Sequence, residues 1–272
     1  MAGSKWVIGL IAAAGALAGA SAAGDDPQSA KLVGELAARY DFFADADRKV
    51  KFDRHEKPLL KYTNPLQGDV YGHVYVWTHR GRPEVIGAIF DHRTQGTAYS
   101  ELHTLARAGV VGCRDGREFW KPSNAGVTFR AVPGAPAPAA TDTARLLQMR
   151  ELGRGFSVER DHPADGKQAM RMMPHPIFRY ASAEANVLDG AVFVFVDDTT
   201  DPEAYLLLEA SGADRKTWQF ALARMNIVEF RAEYKGEVVW QVKRIGWDVV
   251  YERHEPYAIV HEKARRGLVR KP

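Results

Sequence analysis

The sequence predicts an α+β fold of two tandem repeats, each a helix followed by an antiparallel β-sheet, placed about a pseudo-twofold axis or across one continuous sheet. Three observations predict it. Segments recur at a nearly constant spacing: Pro58-Leu59-Leu60-Lys61-Tyr62 returns as Pro176-Ile177-Phe178-Arg179-Tyr180, and Gly72-His73-Val74-Tyr75-Val76-Trp77 as Gly190-Ala191-Val192-Phe193-Val194-Phe195, both 118 residues later. Each copy opens with apolar residues at helical spacing, Leu32, Val33 and Leu36 in one and Leu146, Leu147 and Met149 in the other. The period then changes to two, with β-branched and aromatic residues bounded by Gly, Pro, Asn and Asp, as antiparallel hairpins require.

The elements follow in chain order. Residues 1–22 read as a signal peptide: Lys5 is the positive start, Trp6 to Leu17 the apolar run, and Ala20-Ser21-Ala22 the small residues before the cut. That run is short and rich in Ala and Gly, and no later stretch offers about 18 consecutive apolar residues, so the mature chain is expected to carry no transmembrane segment. The first repeat spans 27–122, with a hairpin of Val70 to Thr78 and Glu84 to Phe90. A Pro/Ala-rich linker, 123–140, includes Pro133-Gly134-Ala135-Pro136-Ala137-Pro138 and is expected to run extended. The second repeat spans 141–242, its helix capped by Thr141 or Asp142 and its hairpin formed by Val187 to Val196 with Ala204 to Ala210. A basic C-terminal tail, 243–272, carries Lys263, Arg265, Arg266, Arg270 and Lys271.

Composition narrows the function classes. Among 272 residues, 46% are hydrophobic and 26% charged, as in a globular chain with a sizeable core. The 37 basic and 34 acidic residues leave +3, too even a balance for a nucleic-acid binder. Cys113 is the only cysteine, so no intrachain disulfide forms and core packing must supply the stability. No phosphate-binding loop, dinucleotide turn, His-Glu-x-x-His or Gly-x-Ser-x-Gly occurs, which disfavours the familiar hydrolases and NTP-dependent enzymes.

Trp77-Thr78-x-x-Gly81-Arg82-Pro83, Ala135-Pro136-Ala137-Pro138, Arg145-Leu146-Leu147-Gln148-Met149-Arg150 and Asp201-Pro202-Glu203 together resemble an uncharacterised family of exported bacterial proteins. The resemblance spans most of the mature chain. It implies export, to the periplasm or the medium, and a shared architecture; no activity comes with it.

Candidate chemistry is found by setting one copy against the other. His73 falls opposite Ala191, Glu101 opposite Phe220, and His103 opposite Leu222. Glu101 and His103 stand two apart on a predicted strand and share a face. With His73 from a neighbouring strand, and His92 as a possible fourth member, they would make a set for a divalent transition metal, with Glu101 alternatively a catalytic base. The ordinary reading is that they hydrogen-bond in the core or face solvent. Tyr71, Tyr75 and Trp77, repeated in part by Phe193 and Phe195 and joined by Trp120, Trp218, Trp240 and Trp247, offer rings for a flat ligand, although rings shared by both copies read more simply as core; Arg80 and Arg82 in the hairpin turn suit an anionic group. Asp197, Asp198 and Asp201 in the other turn are oxygen donors without the regular spacing of a calcium loop. The expectation is an exported, non-catalytic binding or structural protein of the bacterial envelope, its partner a small molecule or an envelope component. The alternative is a metal-dependent hydrolase with its site in the first repeat.

Overall fold

The computed structural model describes residues 26–212 and 216–264; the signal-peptide segment 1–22 and Arg265, Arg266, Arg270 and Lys271 of the basic tail lie outside the described residues. In chain order the elements are α1 (Pro27–Ala37), β1 (Tyr40–Phe43), β2 (Asp53–Arg54), β3 (Leu60–Asn64), β4 (Val70–His79), β5 (Arg82–His92), β6 (Thr97–Thr104), β7 (Val111–Arg114), β8 (Arg117–Trp120) and β9 (Arg130–Ala131). They continue with α2 (Asp142–Arg154), β10 (Phe156–His162), β11 (Gly166–Met172), β12 (Phe178–Ser182), β13 (Val187–Val196), β14 (Pro202–Ser211), β15 (Thr217–Arg224), β16 (Glu229–Tyr234), β17 (Glu237–Val242), α3 (Trp247–Val250) and β18 (Tyr257–Lys263). Short 3₁₀ turns at Pro65–Gln67 and Arg93–Gln95 join strands.

Long apolar runs rich in Val, Ile, Phe and Leu make β4, β5, β13 and β14 the middle of the molecule, because such strands are stable only with both faces covered. The β4–β5 turn has Arg80 and Gly81 at φ 51° and 83°, the two left-handed positions of a tight hairpin, and Asp115-Gly116 and Lys235-Gly236 turn β7–β8 and β16–β17 in the same way. Antiparallel pairing gives three sheets among the described residues. One has the order β18-β6-β5-β4-β2 with β3 also on β4; a nine-stranded one has β17-β16-β10-β11-β13-β14-β15-β9 with β12 on β13; a three-stranded one is β1-β7-β8.

The first two sheets face each other across a core that includes Tyr62, Val74, Ile86, Val192, Val194, Tyr205 and Leu207. Their outer faces are covered differently from what a bare sandwich would need. On the first sheet, α1 packs Val33, Leu36 and Ala37, and the three-stranded sheet packs Phe42 and Trp120, onto Tyr75, Trp77 and Ile89. On the second, α2 packs Met149 and Leu152, and the β10–β16 part of the sheet curls round to set Phe156 and Phe230 over Phe193, Leu206 and Phe220. Each helix is pinned by charge as well as by apolar contact. Asp26 caps α1 and Ser29 Oγ donates to Asp91 at 2.8 Å; Thr141 caps α2 and Arg145 Nε donates to Asp189 at 2.9 Å.

The expected fold class is corrected by this arrangement. Half of the described residues are in strands and 14% in helices, so the described part is mostly β and not an α+β pair of helix-plus-sheet repeats. The strands are also not sorted unit by unit. Those of the first half divide between two sheets, β9 from the Pro/Ala-rich segment pairs with β15, and β18 from the C-terminal segment pairs with β6. The helical periodicity is real, but an eleven- or thirteen-residue helix covers only part of a sheet face this long, and other strands complete the cover. Among the described residues no helix is long and apolar enough to cross a membrane.

Candidate functional site

The sheet register decides the fate of the His73, Glu101 and His103 set. Ile89 on β5 pairs with His73 on β4 and with Ser100 on β6. Paired residues share a face and successive ones alternate, so His73 points with Ser100 into the α1 side while Glu101 and His103 point into the core between the sheets. The three are therefore not brought together. His73 Nδ1 is 3.4 Å from the Tyr75 hydroxyl, and His103 Nδ1 donates to the Thr104 carbonyl at 2.8 Å. His92 stands four residues along β5 from Ala88, the partner of Glu101, or about 13 Å away. Among the described residues no group of three His, Cys, Asp or Glu side chains is placed to hold a metal ion.

The expected ligand residues are also occupied. Tyr75, Trp77 and Trp120 are 3%, 1% and 0% exposed and fill the core under α1, which rules them out as a stacking groove. Arg82 is 1% exposed and donates to Glu209 at 3.0 Å and to Glu84 at 3.1 Å; Arg80 pairs with Glu184 at 2.8 Å across to the β12 hairpin. Asp197 accepts from the Thr199 amide and hydroxyl and braces its own turn, and Asp201 accepts from Asn64 at 2.8 Å and ties that turn to the end of β3.

Two other groupings hold more chemistry. The first lies in the core between the sheets, where Glu101 from β6 meets Asp201 and Glu203 at the start of β14 and the phenols of Tyr62, Tyr205 and Tyr257. Burial pushes the Asp201 carboxyl up to about 7, against the Asn64 hydrogen bond, with the Asp197 charge adding to the rise. Burial likewise raises Glu203 to about 8 although Arg160 opposes it, and Glu101 lies well above the usual carboxylate range for the same reason and because Asp201 and Glu203 are near. His103, desolvated and near Arg224, is lowered to about 4. Above this cluster a cleft of about 240 Å³ opens between the first 3₁₀ turn and the β10–β11 hairpin, lined by Asn64, Gln67, Arg160, Asp165, Gln168, Asp197 and Asp198 among others.

These shifts set a pH dependence. A carboxyl whose folded pKa is raised binds its proton more tightly in the native state, so stability falls as pH rises from the unfolded value, about 4, through 7 for Asp201 and 8 for Glu203. His103 works in the other direction, its share being lost as pH falls from about 6.5 to 4. Between pH 6.5 and 8 His103 adds back only about 0.4 kcal/mol, as the unfolded imidazole loses its proton, so the acids dominate. Urea denaturation is expected to show a net loss of at least about 2 kcal/mol between pH 6.5 and 8, smaller by roughly 1.5 kcal/mol in Glu203→Gln, with the shares of Asp201 and Glu101 remaining. A flat or rising profile over that window would refute the assignment.

The second grouping is a strip of rings on the surface. In α3 the apolar Val250 is fully buried and ties the turn to the core, and the same turn carries Trp247 and Tyr251 outward, 52% and 47% exposed. Their rings stack at 6.2 Å and 26°; Tyr251 meets His261 edge-on at 5.5 Å, His261 lies 6.0 Å from Tyr99, and Tyr99 stacks on Phe90 at 5.1 Å. The strip thus runs from α3 over β18 and β6 to β5. Beside it lies an open cleft of about 310 Å³, whose walls include Tyr251, Glu252, Arg253, His261 and Arg114.

No family model matches the chain, and neither a curated protein nor a solved structure does. The copy-against-copy reading reaches Glu101 and His103 but not the acids and phenols beside them. Trp247 is among the candidate rings, but it and Tyr251 fall in the segment read as a basic tail, although their i, i+4 spacing behind Gly246 is a one-turn helical signal. Tyr205 falls in an expected strand, Glu203 just before it and Tyr257 in the basic tail, and nothing in their spacing says that three strands bring them to one place.

Proposed function

We propose that the chain is an exported, non-catalytic binding protein of the bacterial envelope that takes carbohydrate on the α3–β18–β6 ring strip. The observation that carries this reading is the stacked, half-exposed Trp247–Tyr251 pair continued by His261 and Tyr99. Large rings are normally withdrawn from water, and a row of them left at the surface marks a place where something flat and partly apolar docks. A pyranose face fits that description. Its hydroxyls need hydrogen-bonding groups at the rim, which Glu252, Arg253 and Arg114 supply in the adjoining cleft.

Export rests on the n-region, apolar run and small-residue triplet of residues 1–22 and on the family resemblance, and it predicts a mature protein beginning at Ala23 when the chain is recovered from the periplasm or medium. An internal repeat belongs to the same reading only at the level of the central hairpins, where Gly72 pairs with Phe90 and Gly190 with Glu209.

Affinity electrophoresis through gels containing peptidoglycan fragments, chitin oligosaccharides or cell-surface polysaccharide tests the binding. Retardation by one of them, weakened at least about tenfold in Trp247→Ala and Tyr251→Ala, is the expected result; a tenfold loss corresponds to about 1.4 kcal/mol, within the usual worth of one stacked ring. Migration unaffected by every glycan, or retardation equal in wild type and Trp247→Ala, would end the proposal.

A further inference from the structure

The Glu101 cluster does something that the ring strip does not need. Tyr62, Tyr205 and Tyr257 are 1%, 0% and 1% exposed; the hydroxyls of Tyr62 and Tyr205 have no hydrogen-bond partner, and that of Tyr257 lies beside the Glu101 carboxyl. Buried hydroxyls are ordinarily satisfied, so two orphans in one core ask for an unseen partner. Tyr257 pairs with His103, two residues from Glu101 on the same face of β6, and Tyr62 and Tyr205 share the core between the sheets with Tyr257, near enough to feel the charge of Glu101. Glu101 is enclosed by the two sheets yet keeps accessible surface, so a space of solvent size touches it.

Charge counting points to the occupant. Asp201 and Glu203 lie close enough to Glu101 to act on its charge, while Arg160 is bound to Glu203 and Arg224 donates to the carbonyls of Val228 and Lys243. Glu101 is thus left without a cationic partner. A multivalent ion would want several carboxylates gathered on it, and no such group exists among the described residues. One carboxylate with neutral phenol oxygens suits a single positive charge.

We infer that the space beside Glu101 is a binding site for a monovalent cation, held by the Glu101 carboxylate and the phenol oxygens of Tyr62, Tyr205 and Tyr257. Potassium, sodium and ammonium share the chemistry required. The ion stabilises the paired sheets by supplying the charge and the contacts that the core lacks, and it competes with protons for the same carboxyl.

Thermal unfolding of the whole mature protein at pH 9, in potassium, sodium, ammonium or choline chloride at equal ionic strength, tests this. At least one of the first three salts should raise Tm above the choline value, by about 3–5 °C at ten times Kd. The increment should disappear in Glu101→Gln and shrink in Tyr257→Phe, which removes one oxygen and keeps the ring should Glu101→Gln fail to fold. Equal Tm in all four salts, or an increment unchanged in the variants, would overturn the site. Trp247→Ala must leave the increment intact, so the outcome is independent of whether the ring strip binds a glycan.

Discussion

Glu209→Ala unfolds at a markedly lower urea concentration than the wild type, with an expected loss of about 3–5 kcal/mol. Glu209 lies near the C-terminal end of β14, wholly buried, and one carboxylate serves three donors from both sides of the core: Arg82 at 3.0 Å, the Tyr180 hydroxyl at 2.9 Å, and Arg107. Removing it leaves the Arg82 guanidinium in the interior with Glu84 as its remaining acid partner, and leaves the Tyr180 hydroxyl unpaired. The penalty is for a stranded charge and not for a lost attraction, which gives a second, sharper expectation. Replacing both ends, as Glu209→Leu with Arg82→Met, should cost less than the sum of the two single changes, because neither charge then remains to be desolvated. Strictly additive losses in that cycle would mean that the two groups are stabilised separately.

Gly72→Ala is the other large effect, expected at about 3 kcal/mol and at the upper end of what overpacking costs. A Cβ at Gly72 would stand 2.2 Å from Tyr62 Cζ, and Tyr62 is 1% exposed with the core closed behind it, so the ring has nowhere to go. Gly190 meets Tyr180 in the same way at 2.7 Å. In each case a tyrosine on a short outer strand lies across a glycine of the long neighbouring strand, and the missing side chain is the space the ring occupies. Chemical denaturation of Gly72→Ala, Tyr62→Leu and the double variant decides it. The double variant should recover part of the loss, since the shorter side chain vacates the position of Cζ. No recovery would locate the strain in the backbone of β4 instead.

Legibility differed between the layers of the molecule. The long hairpins were readable because a strand buried on both faces needs an unbroken apolar run, and Ala191 to Val196 offers one. The cap of α2 was readable because Thr141 acts on an amide three residues away. The functional expectations failed where they needed a face. His73 differs from its counterpart in the sequence comparison, but whether it joins Glu101 depends on the register of two successive strand pairs, and a shift of one residue in either would have reversed the answer. Tyr75 and Trp77 alternate as a ligand platform would; the cover laid over them by α1, β1 and β8 turns them into core.

By itself the sequence determined the local matters: a strand-rich chain with tight turns at Arg80-Gly81, Asp115-Gly116 and Lys235-Gly236, two capped helices, stability without a disulfide, and a balanced charge. Those follow from interactions a few residues long. The tertiary structure alone decided which strands share a sheet, that β9 and β18 complete sheets far from them in the chain, that Tyr62, Tyr205 and Tyr257 gather in one core between the sheets, and that Trp247 and Tyr251 remain at the surface. The physical reason is that sheet pairing and burial are settled by contacts between distant residues, and a backbone hydrogen bond between strands carries no mark of its partner in the local sequence.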